Sequence, residues 1–274
     1  MKAHIILSFC TALVYCASCS NDTEQIIEPQ APRLNVNDSL VVVDIWEKAD
    51  GKNWPNKWEL SDISTWTGAQ LELEEEKNEY RIIGLNINTP GGYNIQGTIS
   101  PRIGELTKLR TLTIGNLGIR GKIPASIQNL DELYSLHIWN SRINDTLPDF
   151  LFKMKKLEHI IIADNKLIQG KLPASIANSS QQMDYLLLPN NALTGNIPVG
   201  IKANVVILDN NNFEKYPFEY LQENMPAISL RGNRIHGLIP DSILNSPKLL
   251  FNLRMRTPDQ QEWYGFENAP EDWK

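Results

Sequence analysis

The sequence predicts an α/β-type repeat solenoid. The expected form is a curved, right-handed coil with a parallel β-sheet on its concave face and a convex side of irregular and 3-10 backbone. Three observations carry this. Apolar residues recur as apolar, two free, apolar, one free, apolar, and the opening residues 109, 133, 157, 183, 203, 225 and 250 are spaced by 24, 24, 26, 20, 22 and 25. Asn165, Asn191, Asn211 and Asn233 each stand three places after the last apolar residue of their unit. An Ile-Pro or Leu-Pro then closes the unit in phase, at Ile123-Pro124, Leu147-Pro148, Leu172-Pro173, Ile197-Pro198 and Ile239-Pro240. Units of this length cannot bury an apolar face alone, so they stack on one another.

In chain order, residues 1–19 come first. Met1-Lys2-Ala3-His4 precedes an apolar run, Ile5 to Val14, that is short for a bilayer span. A basic start, a short apolar core and small residues are the layout of a secretory signal. Cys16-Ala17-Ser18-Cys19 resembles a bacterial lipoprotein cleavage box, although Cys16 fills a place that pattern gives to an aliphatic residue. The resemblance implies an acylated Cys19 as the mature N-terminus; an ordinary cleaved signal is the alternative. Ser20-Asn21-Asp22-Thr23-Glu24 resembles the acidic tracts that send some Bacteroidetes lipoproteins to the cell surface. The implied location is across the inner membrane, lipid-anchored, in the outer membrane facing outward. Residues 20–35 are polar, carry Pro29 and Pro32, and read as a flexible tether.

Residues 36–80 read as an N-terminal cap. Asn37 and Asp38 are N-cap candidates for a helix that places Val42, Ile45, Trp46 and Ala49 on one face and stops near Gly51. The run of valines also permits a strand. Trp54, Trp58 and Trp66 are expected to close the open end of the core with indole surface rather than form an aromatic binding site. Trp66-Thr67-Gly68 resembles the end of the cap that precedes plant-type leucine-rich repeats. That cap usually carries a Cys pair, whereas the three cysteines here, Cys10, Cys16 and Cys19, all lie in the first twenty residues. A mature chain starting after them has no internal disulfide and no Cys-based metal site. Glu72 to Glu76 reads as solvated cap surface.

Residues 81–256 hold about seven repeats and a truncated eighth strand. The first has Ile82, Leu85 and Ile87, then a detour through Thr89–Tyr93 to Asn94 and Ile99. The fourth has Leu157, Ile160, Ile162, Asn165 and Leu167, and the eighth is Leu250, Leu253, Met255. With their in-phase Gly-x-Ile-Pro endings, these units resemble leucine-rich repeats of the plant type over about two-thirds of the chain. The Asn residues are expected to turn inward and satisfy backbone groups. Leu117 and Ser141 interrupt that series. Residues 257–274, with Trp263, Tyr264, Phe266 and Trp273, read as a C-terminal cap folded over the last coil.

Function in such an architecture sits at the free strand positions of the concave face. An apolar strip is expected there from Trp139, Ile161, Leu187, Pro189 and Ile207, bordered by His137, His159 and Tyr185. Asp209 lies beyond it, and Arg231, Arg254 and Arg256 form a basic end. A contiguous apolar patch with Trp, Tyr and Arg points to a protein or peptide partner. The alternative is a glycan-binding accessory of a surface nutrient-uptake system, using Trp139 and Tyr185. Net charge is −6 and the 26 basic residues are scattered, which argues against nucleic acid. No Gly-x-Ser-x-Gly, phosphate loop or His-Glu-x-x-His occurs, so a non-enzymatic role is expected. The accompanying expectations are no cofactor, no metal, membrane contact only through the lipid, and a monomer. Asp38-Ser39-Leu40, Asp145-Thr146-Leu147 and Asp241-Ser242-Ile243 resemble an O-glycosylation site of Bacteroidetes but also read as ordinary turn chemistry.

Overall fold

The computed structural model describes residues 31–55, 57–88, 96–115, 118–179, 182–221, 227–255 and 265–271. The three cysteines, the signal segment, most of the tether, Leu117, Arg256, Trp263, Tyr264 and Trp273 lie outside the described residues.

The chain opens with β1 (Arg33–Leu34), helix α1 (Val36–Lys48) and β2 (Ala69–Glu74). From there each coil supplies one concave and one convex strand. The pairs are β3 (Glu79–Asn88) with β4 (Gln96–Thr98), β5 (Thr111–Gly115) with β6 (Gly118–Gly121), and β7 (Ser135–Trp139) with β8 (Arg142–Ile143). Next come β9 (His159–Ala163) with β10 (Gln169–Lys171), β11 (Met183–Leu187) with β12 (Ala192–Gly195), and β13 (Ala203–Ile207) with β14 (Asn212–Phe213). The seventh coil has β15 (Ala227–Ser229) and β16 (His236–Gly237), followed by α2 (Asp241–Leu244), α3 (Pro247–Met255) and β17 (Gly265–Phe266).

The concave sheet runs in the order β1-β3-β5-β7-β9-β11-β13-β15, with β2 added antiparallel to β3. All the other pairings in this sheet are parallel and in sequence order. The fold is a leucine-rich-repeat solenoid. Leu112, Leu136, Ile160, Leu186 and Val206 are fully buried, one above the other, and Ile127, Leu151 and Ile176 meet them from the convex side. Each such side chain contributes on the order of 1.5–3 kcal/mol by burial, which is why stacked coils hold where one would not.

The closing motif explains the outer turn. Gly121, Gly170, Gly195 and Gly237 have φ of 83°, 86°, 84° and 110°, a region that side-chain-bearing residues rarely enter. Pro124, Pro148 and Pro173, at φ near −62° to −67°, then start 3-10 turns at Ala125–Asn129, Asp149–Lys153 and Ala174–Asn178. The glycine bends the chain out of the convex strand and the proline fixes its new direction.

The inward asparagines form a ladder between coils. Asn191 Nδ2 donates to Ile162 O (2.7 Å) and Leu188 O (3.0 Å), while its Oδ1 accepts from Asn165 N (3.1 Å). Asn165 does the same toward the coil before it, reaching Ile138 O (3.0 Å) and accepting from Ser141 N (3.0 Å). Asn211 and Asn233 repeat the pattern. Ser141 continues the ladder with its hydroxyl, which accepts from Ile143 N (3.3 Å) and donates to Asn165 Oδ1 (2.5 Å).

Several expectations need correction. Helix α1 is capped by Asn35, whose side chain accepts from Asn37 N and Asp38 N at 3.1 and 3.2 Å, so Asn37 and Asp38 are already helical. Asp38 is wholly buried, pairing with Arg81 (2.9 Å) and accepting from Ile82 N (3.0 Å). Its carboxylate is needed to satisfy the donors of β3. Residues 33–35, assigned to the tether, belong to the fold through β1 and this cap. Strand β2 was not foreseen, and Glu72 and Glu74 lie on it. Leu167 is 47% exposed, and Ile168 takes the buried place instead. The longer fourth unit inserts one residue between Asn165 and Gly170, shifting the inward position. The expected eighth strand is helix α3. Pro247 suits a first helical turn, Ser246 Oγ accepts from Leu249 N (3.4 Å), and the three-residue spacing of Leu250 and Leu253 fits a helical face.

Both ends are covered. Trp54 and Trp58 meet edge to face at 5.0 Å, Trp58 and Trp66 stack at 5.8 Å, and all three are buried. At the far end β17 pairs with β16, and Phe266 packs against Tyr216 and Phe218. Among the described residues no helix is long and apolar enough to cross a membrane.

Candidate binding face on the concave sheet

Strand pairing sets the free side chains of neighbouring coils in columns. Cα register aligns Asn86, Thr113, His137, Ile161, Leu187, Ile207 and Ser229 in one row across the sheet. A second row, two residues earlier, reads Thr111, Ser135, His159, Tyr185, Val205 and Ala227. A third holds Gly115, Trp139 and Ala163, and Pro189 and Asp209 follow at the same place in the next two coils. Ile161, Leu187 and Ile207 are half-buried and contiguous, so the expected apolar strip exists as a surface of side chains on adjacent strands.

Trp139 lies flat across the neighbouring strand. A Cβ on Gly115 would stand 2.4 Å from its indole, so only glycine leaves room for the ring. Toward the other border, Tyr134, His159 and Tyr185 form a run of rings at 5.8 and 5.0 Å, both near edge to face. Tyr134 and Tyr185 are 41% and 42% exposed, which is high for large rings that are also packed together. His159 Nε2 is 3.4 Å from Asp184 Oδ2, and Asp184 Oδ1 accepts from Asn204 Nδ2 (2.9 Å). His137 Nε2 is 3.1 Å from Ser135 Oγ, and burial, helped by the nearby His159, holds its pKa below the usual histidine value. The imidazole of His137 is therefore favoured in its neutral form.

The upper border is built from left-handed residues. Asn140, Asp164, Asn190 and Asn210 all have φ between 50° and 58°, a conformation that short polar side chains tolerate best. Asn190 Nδ2 donates to Asp164 Oδ1 (2.8 Å), and Asn210 Nδ2 donates to Asn190 Oδ1 (2.6 Å). Asn190 is thus tied into a second, outer amide ladder. Gly232 continues the column, and a Cβ there would meet Asn210 Oδ1 at 2.0 Å.

The structure brings His137, Trp139, His159, Ile161, Tyr185, Leu187, Pro189, Ile207 and Asp209 onto one face. Arg231 stands at its C-terminal edge, where its backbone N–H donates to Asp209 Oδ1 (2.9 Å). Arg254 does not join them. It lies in α3, because the chain leaves the sheet after β15. Tyr134, Glu158 and Asp184 were not foreseen; each directly follows the opening residue of its unit, a position that still borders the face. Among the described residues no group of three or more His, Cys, Asp or Glu side chains is placed to hold a metal. Of the three Asp-Ser/Thr triplets, Asp38 is committed to Arg81, and Asp145 accepts from Ile123 N (3.2 Å) and Thr146 N (2.9 Å), as turn and cap chemistry requires.

No protein-family profile matches the chain, and no curated protein matches it in sequence. Solved structures do. A plant ice-binding protein is 27% identical with a TM-score of 0.63 over 76% of this chain and 66% of its own. A chain of the complex of the Arabidopsis receptor kinase HAESA with the peptide hormone IDA and the co-receptor SERK1 is 17% identical, with a TM-score of 0.61 over 80% of this chain and 36% of its own. A chain of the Arabidopsis thaliana BIR3–SERK2 complex is 21% identical, with a TM-score of 0.50 over 66% of this chain and 96% of its own. This chain thus spans just under two-thirds of the ice-binding protein and about a third of the HAESA-complex chain.

Proposed function

We propose that this is a non-enzymatic recognition protein that binds a protein or peptide segment on the concave sheet, and that a lipid on Cys19 holds it at the outer surface of a bacterial outer membrane. The observation that carries the reading is the half-buried strip Trp139–Ile161–Leu187–Ile207 beside the exposed rings of Tyr134 and Tyr185. Apolar surface of this kind on a rigid sheet gains free energy when a partner covers it, and pre-set rings lose little entropy in doing so. The solenoid supplies rigidity and the free columns supply chemistry. The similarity to a receptor complexed with a peptide hormone concerns the fold, and the strip carries the functional reading.

Ice binding, named for one similar structure, finds no array of like side chains on the convex strands among the described residues. The exposed positions on the convex strands are Gln96, Thr98, Arg120, Gly121, Arg142, Gln169, Lys171, Thr194 and His236, a mixture of charges, amides, hydroxyls, an imidazole and a glycine. The test is to present the soluble chain from Asn21 onward to panels of extracellular proteins and of polysaccharides. The expected result is a protein ligand whose affinity falls when Trp139→Ala or Tyr185→Ala is introduced. Binding that ignores both substitutions places the site elsewhere. Binding to polysaccharides alone favours the nutrient-uptake reading. Radiolabelled fatty acid incorporated into the wild type and absent from Cys19→Ala tests the anchor.

A further inference from the structure

The charge around the strip defines what kind of segment it takes. The segments 134–140, 158–164, 184–190 and 204–210, which form the concave face of four successive coils, contain four carboxylates and no lysine or arginine. Glu158 and Asp184 lie on one border, and Asp164 and Asp209 on the other. The lysines and arginines of these coils, among them Arg142, Lys153, Lys171 and Lys202, lie outside these segments. Arg231 stands beside Asp209 at the C-terminal edge, so the acidic border that matters is that of Glu158 and Asp184. Arg110, at the N-terminal side, is held bidentately by Glu72 at 2.7 and 2.8 Å and also reaches Glu132. Asp184 is about half exposed, with His159 Nε2 at 3.4 Å and Asn204 Nδ2 as its neighbours and no lysine or arginine ion-paired with it among the described residues.

Resting on the concave-face reading, we propose that the partner is an extended cationic peptide segment. Its apolar side chain sits on Ile161, Leu187 and Ile207, and a flanking lysine or arginine sits against the rings of Tyr134 and Tyr185 and the carboxylates of Glu158 and Asp184. Ring faces attract a cation through their quadrupole, and a carboxylate beside the ring adds direct Coulomb attraction. The long alkyl stem of such a side chain covers apolar surface while its head reaches the border. Strands lie about 4.8 Å apart, so the strip from β7 to β13 spans about 14 Å, roughly four extended residues. An apolar anchor and a flanking cation fit within that length. The acidic field also steers a basic segment onto the face before contact.

The test uses three labelled synthetic peptides with one Ile-Ser-Leu core, flanked by Lys, by Ser or by Glu, and the soluble chain from Asn21 onward. The Lys-flanked peptide is expected to bind about tenfold tighter than the Ser-flanked one, the effect of roughly 1.4 kcal/mol from a cation–ring contact and exposed ion pairs together. The Glu-flanked peptide is expected to bind weakest. The preference should shrink in the double variant Glu158→Gln, Asp184→Asn and at high salt, and Leu187→Glu should remove the apolar contribution. Equal binding of all three peptides, with loss in Leu187→Glu, overturns the cationic preference and leaves the concave site standing. Binding of the Lys-flanked peptide that survives both Leu187→Glu and the double variant overturns the site as well. If none of the peptides binds, the cationic–apolar specificity is wrong, while the protein panel still judges the face.

Discussion

At the N-terminal end the solenoid is covered by α1, β2 and three packed indoles, and the cover is tied to the first coil by an ion pair. Asp38 is wholly buried, Arg81 is nearly so, and the carboxylate also accepts from Ile82 N. At the C-terminal end α3 and Phe266 do the covering, and the tie is a neutral amide. Asn268 Nδ2 donates to Ile239 O (2.9 Å), and its Oδ1 accepts from Ile239 N (2.8 Å). Both ends solve the same problem, an uncovered apolar coil with unpaired backbone groups, one with charge and one without. The difference matters when half of either tie is removed. A lost amide leaves a modest desolvation debt, whereas a lost partner of a buried ion strands a charge in a poorly polarisable medium.

The largest expected effect follows from that difference. Arg81→Ala strands Asp38 and should cost about 3–5 kcal/mol. The loss should appear in urea unfolding followed by fluorescence of Trp54, Trp58 and Trp66, which report the N-terminal end. A change below about 1 kcal/mol would mean that the pair is solvated and that the two ends are alike. Phe266→Ala removes the apolar lid at the other end. It should cost about 3 kcal/mol, with loss of amide protection in the seventh coil ahead of the N-terminal coils. Asn268→Ala should cost about 1–2 kcal/mol, clearly less than Arg81→Ala. Equal costs would erase the distinction between charged and neutral ties.

His137 sets a smaller, pH-dependent effect. Burial lowers its folded-state pKa, so between that value and the unfolded value near 6.5 the unfolded chain binds more protons. Stability therefore rises with pH through this window and falls as pH drops below about 6.5. His137→Gln should flatten that slope in denaturation curves recorded from pH 5 to 7. The smallest expected change in stability, within about 0.5 kcal/mol, belongs to Tyr185→Ala, although it should weaken ligand binding on the concave face.

The coils were legible because each inward position repeats under one constraint. Leu186, Leu188, Asn191 and Leu193 sit where the spacing puts them, and strand order follows from stacking in sequence. The ends were less legible because nothing there repeats. Strand β2 alternates, with Ala69, Leu71 and Leu73 set against Gln70, Glu72 and Glu74, but it lies outside the repeat and runs into Glu75 and Glu76, so the stretch read as a solvated acidic run. The spacing of Leu250 and Leu253 suits a strand unit and a helix equally, and Pro247 with the hydroxyl of Ser246 favours the helix. Leu167 and Ile168 are adjacent and both apolar, so one inserted residue was enough to hide which turns inward. On the concave face, the rows were readable from register, but the ring run through Tyr134 required knowing that the residue after the opening leucine still borders the sheet.

Strand β2 has a further consequence. A parallel sheet that grows by stacking has no intrinsic length, and an unmodified first strand would accept the last strand of another molecule. Here the outermost strand runs against the direction of all the others and carries Glu72 and Glu74 at its margin. A like-oriented strand arriving there would have to pair antiparallel to β2, in a ladder unlike the parallel one that joins coil to coil. The reversal breaks the repeat, so the parallel stacking of coils cannot simply continue across this edge into a second solenoid.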